Sequence, residues 1–244
     1  MSSTQAPFFS IVIPAHNEEL YISETLESLH ALKYPVDSFE VIVVENGSDD
    51  ATLERARVSA RSNMMVISVP VAGVSAARNT GASKINPNSD WVIFLDADTH
   101  MSPTFLNDIT NFLEEKKEKE YVIGSVSLWP WPYTKIMTFW YFWSNFGMYI
   151  RKSAYAGFLI VKPELLRNNV SFDESVCVGE DLRFAVEARK QGNYFFMWTR
   201  KARTSTRRFT NGGWKKIPVW VGMWFFAMMV PIYVQRRFQY KVVR

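Results

Sequence analysis

Residues 91–99 read Trp91-Val92-Ile93-Phe94-Leu95-Asp96-Ala97-Asp98-Thr99. Apolar, strand-forming residues run without interruption into two carboxylates separated by one alanine. An apolar run with no polar alternation is the pattern of a strand buried on both faces, as in a parallel sheet. Carboxylates at its C-terminal end fall on the sheet edge where open α/β folds bind ligands. Two acids so close repel each other unless a cation holds them. A divalent ion carrying a phosphate-bearing substrate meets that need.

Outward from this stretch, the first 100 residues alternate strand and helix signals. Short apolar strands are expected at residues 9–13, closed by Pro14, at 39–44 and at 65–69. Between them, Asn17 with Glu18 and Glu19 reads as the start of a helix to about residue 32. Residues 48–50 offer capping chemistry for a helix to about residue 60, and the small residues of 74–83 read as a third helix. This spacing predicts βαβ units, hence a mostly parallel, Rossmann-like α/β sheet with helices on both faces. Further on, Ser102-Pro103 opens a helix that runs into the charged stretch 114–120. Residues 121–128 and 156–161 read as strands. A helix lies within 178–191, with Gly192 as its C-cap. Residues 128–150 are dense in Trp, Tyr and Phe.

The 244 residues are 48% hydrophobic, ample for a core and contrary to disorder. The single cysteine, Cys177, excludes an intramolecular disulfide, and residues 1–10 show no secretory signal pattern, so a cytosolic setting is the default expectation. Charge is unevenly spread. Of the 28 Lys and Arg and 24 Asp and Glu, 13 bases and no acids follow Glu187, leaving 15 bases against 24 acids before it. An acidic body with a basic, aromatic tail is suited to meet an anionic surface.

Four segments carry chemistry. They are residues 11–19, with Pro14, Ala15, His16, Asn17 and Glu18 after the first strand; residues 43–50, with Glu45 and Asn46 after the second; residues 77–81 with Arg78, followed by Asp96 and Asp98; and Gly179-Glu180-Asp181 opening a helix. Together they resemble the family 2 glycosyltransferases, inverting enzymes of the GT-A fold. The resemblance is specific over residues 9–100 and good over 155–192.

The resemblance implies a nucleotide-sugar-binding half at 1–100 and an acceptor-binding half at 101–213. It implies that Pro14, Ala15, His16, Asn17, Glu18, Glu45, Asn46, Arg78, Asp96 and Ala97 face the nucleotide, with Asn46 standing where many relatives carry Asp. Asp96 and Asp98 match the DxD motif: the first acid reaches the ribose and the second helps hold Mn2+ or Mg2+ on the diphosphate. Asp181 is implied as the base that takes the acceptor proton. Glu180, Gly157 and Phe158 lie on the acceptor side. Arg207 and Arg208 resemble a basic element that clamps the diphosphate. The Gln-x-x-Arg-Trp motif of processive synthases is absent from the sequence, which argues for adding one sugar.

Residues 214–244 are expected to form a separate basic, aromatic tail. Within it, residues 217–234 form an 18-residue stretch without charge. As a helix this would span about 27 Å, just short of a typical hydrocarbon core of about 30 Å. Basic residues flank both ends, and Trp220, Trp224 and Tyr233 lie inside, which suits a segment lying in a membrane interface. Residues 139–146, with Trp140 and Trp143, offer a second contact patch. The expected partners are therefore a nucleoside-diphosphate sugar donor, a lipid-linked or glycan acceptor and a membrane surface, met peripherally on the cytoplasmic face. No nucleic-acid partner is expected. A nucleotidyltransferase shares such a sheet and acidic ligands, but residues 14–18 lack its glycine-rich basic loop. A membrane- or nucleic-acid-binding protein using the tail would leave Asp96, Asp98 and Asp181 without a role.

Overall fold

The computed structural model describes residues 6–70, 72–154, 157–176 and 179–207. The first half follows the expected alternation: β1 (Phe9–Ala15), α1 (Ile22–His30), β2 (Phe39–Asn46), α2 (Thr52–Ser59), β3 (Met64–Val69), α3 (Val74–Ala82) and β4 (Trp91–Leu95). Next come β5 (Thr99–Met101), α4 (Phe105–Glu115), β6 (Tyr121–Val126), β7 (Trp129–Trp131) and α5 (Lys135–Arg151). The described chain ends through β8 (Phe158–Val161), α6 (Pro163–Arg167), α7 (Glu180–Ala188), β9 (Asn193–Met197) and β10 (Ala202–Ser205). Residues 208–244 lie outside the described residues, and with them Arg208 and the expected tail at 214–244.

Seven strands form one sheet in the order β3-β2-β1-β4-β8-β6-β9. All run parallel except β8, which is antiparallel to both β4 and β6. The unbroken apolar runs are explained by burial on both sides. In β4, Trp91, Ile93 and Leu95 enter the core under α1 and α4, while Val92 and Phe94 enter the core under α6 and α7. In β2, Val41 and Val43 join the first core, and Ile42 and Val44 pack on Ala77 of α3. Strand order reverses between β1 and β4. The carboxyl ends of β1, β2 and β4 therefore open a crevice, the place where such sheets take ligands. A second sheet, β5-β10-β7, sits beyond β4.

Several local expectations are corrected. Asn17 does not cap a helix. Its φ of 54° is left-handed, a conformation Asn tolerates. Its Oδ1 accepts from Asp49 N at 2.9 Å and its N–H donates to Ser48 Oγ at 3.0 Å, tying the β1 and β2 loops together. The helix begins later, at Ile22. Pro14 does not end β1, which pairs with β2 through Ala15. The ladder to β4 has already ended at Val12, so the missing N–H of Pro14 removes no bond on that side. Gly192 is not the cap of α7, which ends on Arg189. The dense aromatic stretch 128–150 resolves into β7 and a full helix, α5. Among the described residues, no helix is long and apolar enough to cross a membrane.

Helix α3 lies unusually close to the sheet because of Gly81. A methyl group there would come within 2.3 Å of Val12 Cγ1 and 3.3 Å of Val44 Cγ2. Gly81→Ala is expected to cost about 1–3 kcal/mol by overpacking. The reading is a lower denaturant midpoint at unchanged slope. An unchanged midpoint would contradict the close packing.

Candidate functional site

The crevice floor is tied together by short bonds within the protein. The Glu45 carboxylate, buried at the end of β2, accepts from Ser48 N and from Ser68 Oγ, each at 2.6 Å. Burial works against its ionisation, but these hydrogen bonds outweigh it and hold the carboxyl below its ordinary range. The Asn46 amide, oriented to satisfy both neighbours, donates to Ala15 O at 2.8 Å and accepts from Gly73 N at 2.9 Å. It fastens the end of β1 to the start of α3. His16 Nδ1 is buried there with no hydrogen-bond partner among the described residues. Ala97 is buried, and its carbonyl accepts from Thr25 Oγ1 at 2.7 Å, fixing the turn between the two aspartates to α1.

Arg78 is the hinge of the site. The small-residue face of α3 brings it down onto the sheet edge, where its side chain is 3% exposed. Its Nη2 donates to Asp96 Oδ1 and its Nη1 to Glu180 Oε1, both at 3.0 Å. The guanidinium also lies over the Phe172 ring, 5.2 Å from the centroid. One fork thus joins the end of β4 to the first turn of α7, which are far apart in sequence. Asp181 follows Glu180 in that first turn, where the helix dipole favours negative charge. Its Oδ1 accepts from Leu182 N at 2.7 Å.

Asp98 is buried at the far side of the pair. Its Oδ2 meets Arg207 Nε at 3.2 Å and its Oδ1 lies 3.5 Å from Thr204 Oγ1. Arg207 also pairs with Glu18 and lies over the Tyr21 ring at 4.4 Å. Burial of Glu18 raises its pKa beyond what the Arg207 contact recovers, and the Asp98 and Asp96 charges add to the rise. Burial opposes the charge on Arg207, but its bonds to Glu18 and the Asp98 charge outweigh that and hold its pKa above the ordinary value. Three carboxylates therefore converge on this edge with Arg207 among them.

A divalent ion fits this donor set. Glu18 Oε2 is buried with no hydrogen-bond partner among the described residues. The described residues contain no group of three or more His, Cys, Asp or Glu placed to hold a metal alone. A phosphate-borne Mg2+ or Mn2+ needs only one or two carboxylates, since substrate oxygens and water complete its shell.

On the other side of Asp96, Gly157 approaches closely. A Cβ there would come 3.0 Å from Asp96 Oδ2, and its carbonyl accepts from Asp96 N at 3.2 Å. Phe158 departs from the expected acceptor contact: its side chain is fully buried against Phe105, 4.9 Å between ring centroids, and its carbonyl accepts from Ser125 Oγ at 2.8 Å. Tyr21, Thr25, Phe172 and Thr204 were not singled out from sequence. Each contributes through a contact across the fold, for which sequence spacing carries no signal.

Residues 10–159, more than half of the chain, match the family described as Glycosyl transferase family 2. The chain is 31% identical over 110 residues to the poly(ribitol-phosphate) beta-N-acetylglucosaminyltransferase TarS of Staphylococcus aureus, covering 44% of this chain and 19% of that protein. It is 27% identical over 213 residues to the dolichyl N-acetyl-alpha-D-glucosaminyl phosphate 3-beta-D-2,3-diacetamido-2,3-dideoxy-beta-D-glucuronosyltransferase of Methanococcus voltae, covering 76% of this chain and 62% of that one. The chain thus spans less than two thirds of either relative. The crystal structure of TarS 1–349 in complex with UDP-GlcNAc superposes with a TM-score of 0.66 at 22% identity, over 83% of this chain and 59% of that chain. The mannosyltransferase PcManGT from Pyrobaculum calidifontis, in complex with GDP-Man and Mn2+, gives 0.66 at 20% identity over 86% and 59%. The matched segment runs from β1 into β8 and contains Glu18, Glu45, Arg78, Asp96, Asp98 and Gly157. The chain belongs to glycosyl transferase family 2 and has the GT-A fold.

Proposed function

We propose that the protein moves one sugar, with inversion, from a nucleoside-diphosphate sugar to a hydroxyl or phosphate acceptor at a membrane surface. The observation that carries this reading is the Arg78 fork, which brings the Asp96–Asp98 edge and the Glu180–Asp181 helix start into one site. The nucleotide lies along Pro14, Ala15, His16 and Asn17 and the end of β2. Asp96 receives the ribose. Asp98, with Glu18 beside it, faces the diphosphate, and Arg207 turns from these carboxylates to the phosphate oxygens. A bound Mn2+ or Mg2+ would neutralise charge growing on the leaving diphosphate. The acceptor oxygen attacks the anomeric carbon and the bond to the diphosphate breaks; where the acceptor is a hydroxyl, Asp181 takes its proton, and an ionised phosphate oxygen attacks without one. Glu180, held by Arg78, fixes the turn that presents Asp181.

The relatives support the substrate classes. TarS and PcManGT were solved with sugar nucleotides, and PcManGT with Mn2+. The Methanococcus relative is named for a dolichyl phosphate-linked substrate, in keeping with a lipid-linked acceptor here. A peripheral place on the cytoplasmic face, with residues 214–244 as the attached tail, follows from the sequence expectations.

The donor half of this reading is tested by titrating a panel of sugar nucleotides calorimetrically, with and without Mn2+ or Mg2+. One donor should bind more tightly with the ion, and Asp98→Asn should lose that gain. An unchanged metal response in the variant would remove Asp98 from the diphosphate.

A further inference from the structure

Helix α5 is built inside out. Its inward face carries Met137, Ser144, Asn145 and Met148, all buried. Asn145 is the anchor: its side chain accepts from Leu128 N at 3.0 Å and donates to Leu128 O at 2.8 Å. The outward face carries Phe139, Phe142, Trp143, Phe146, Tyr149 and Ile150, each between 41% and 66% exposed. These positions recur at three and four residues, so they form one stripe along a helix of about 25 Å. The rings touch in sequence: Phe139 on Trp143, Phe142 on Trp143 and Trp143 on Phe146, with centroids 5.7 to 6.2 Å apart. Trp198 extends the cluster sideways, meeting Phe142 and Tyr149 at 6.2 Å.

Among the described residues, ten of the sixteen large hydrophobic side chains left exposed lie on this helix, at the end of β7 and the turn that follows it, or at Trp198. A patch this concentrated marks an interaction surface. Its charge selects the partner. No Asp or Glu occurs between Glu120 and Glu164, nor after Glu187, so the segments forming the patch carry only positive charge. Lys135 stands at one end of the helix. Arg151, Lys152 and Arg189 gather at the other, where the Arg189 guanidinium donates to the carbonyls of Arg151 and Lys152 at 3.2 Å. Aromatic rings between cationic ends are the composition of a helix lying in a bilayer interface.

We infer that the outward face of α5 seats the protein on an anionic lipid surface, with its rings at the headgroup boundary and its basic ends on lipid phosphates. This rests on the membrane-surface part of the function proposed above. It assigns the contact to the folded domain and not to residues 214–244 alone. Asn145 of α5 holds Leu128, whose side chain would lie 3.8 Å from a Cβ on Gly157, and the Gly157 carbonyl accepts from Asp96 N at 3.2 Å, so a lipid acceptor seated beside α5 would enter on the Asp96 side of the site.

The test uses the full chain and vesicles of phosphatidylcholine, with and without phosphatidylglycerol. Phe139→Ser, Trp143→Ser and Phe146→Ser are combined in one variant; all three rings are exposed, so the far-ultraviolet dichroism should not change. Wild type should bind the anionic vesicles preferentially, and the variant's partition coefficient should fall about tenfold or more. Vesicles should also slow amide exchange in residues 139–150 of the wild type. Equal partition of wild type and variant, or no change in exchange there, would overturn the assignment. Equal binding to neutral vesicles would overturn the choice of anionic lipid. A wild-type dimer that the variant dissociates would give the face to a second copy instead. Release of nucleoside diphosphate from donor without vesicles is measured on both proteins and should be equal. Its absence from both would count against the transferase reading and leave the lipid contact standing.

Discussion

Asp181→Asn is expected to lower sugar transfer by about 10²–10⁴-fold, the range a positioned general base contributes. The substitution keeps the shape of the side chain and its capacity to accept from Leu182 N, so the first turn of α7 should hold. It removes the ability to take a proton at neutral pH. The loss should therefore fall on kcat, while donor affinity, with or without metal ion, stays that of the wild type. A combined loss of donor binding would instead make Asp181 part of the donor site. Full transfer by the variant would exclude it as the base.

The second large effect is expected at Arg78. Its side chain and those of Asp96 and Glu180 are 3%, 23% and 13% exposed, so the pairs are largely screened from solvent. Arg78→Ala leaves two carboxylates facing a cavity with their shared cation gone. Breaking a buried pair by removing one partner costs about 3–5 kcal/mol, here with transfer lost as well because α7 is no longer tied to β4. Arg78→Lys should recover only part of this. A single ammonium cannot reproduce the planar fork that reaches both carboxylates at 3.0 Å. Adding Glu180→Gln to Arg78→Ala should return some stability by removing one unpaired charge. Denaturant midpoints for the single and double variants form the cycle. A midpoint for Arg78→Ala equal to wild type would contradict the bridging role.

The strands that build the crevice were legible because each is an apolar run buried on two faces and punctuated by polar loops. The Asp96–Asp98 pair was legible for the same reason: position at a strand end gave meaning to two common residues. Other parts depend on contacts that no local pattern encodes. Asn17 suits a helix cap and a left-handed turn equally, and only the β2 loop, more than thirty residues on, decides between them. β5 and β10 are three and four residues long and exist by pairing with each other. Helix α5 was hidden by its inverted pattern, since its apolar stripe points outward and its anchor is an asparagine. The Arg78 fork spans 102 residues to Glu180. Sequence placed both ends in the site without showing that they meet.

The central claim is that the crevice transfers a sugar and releases a nucleoside diphosphate. Its most direct test follows sugar nucleotides labelled in the sugar and in the nucleotide, incubated with the full chain, Mn2+ or Mg2+ and membrane extract. The prediction is nucleoside diphosphate formed in equal amount with labelled sugar in a solvent-extractable or polymeric product. Both should be lost on chelation of the ion and in Asp181→Asn. Release of nucleoside monophosphate or pyrophosphate, or label transferred with the nucleotide attached, would contradict the account.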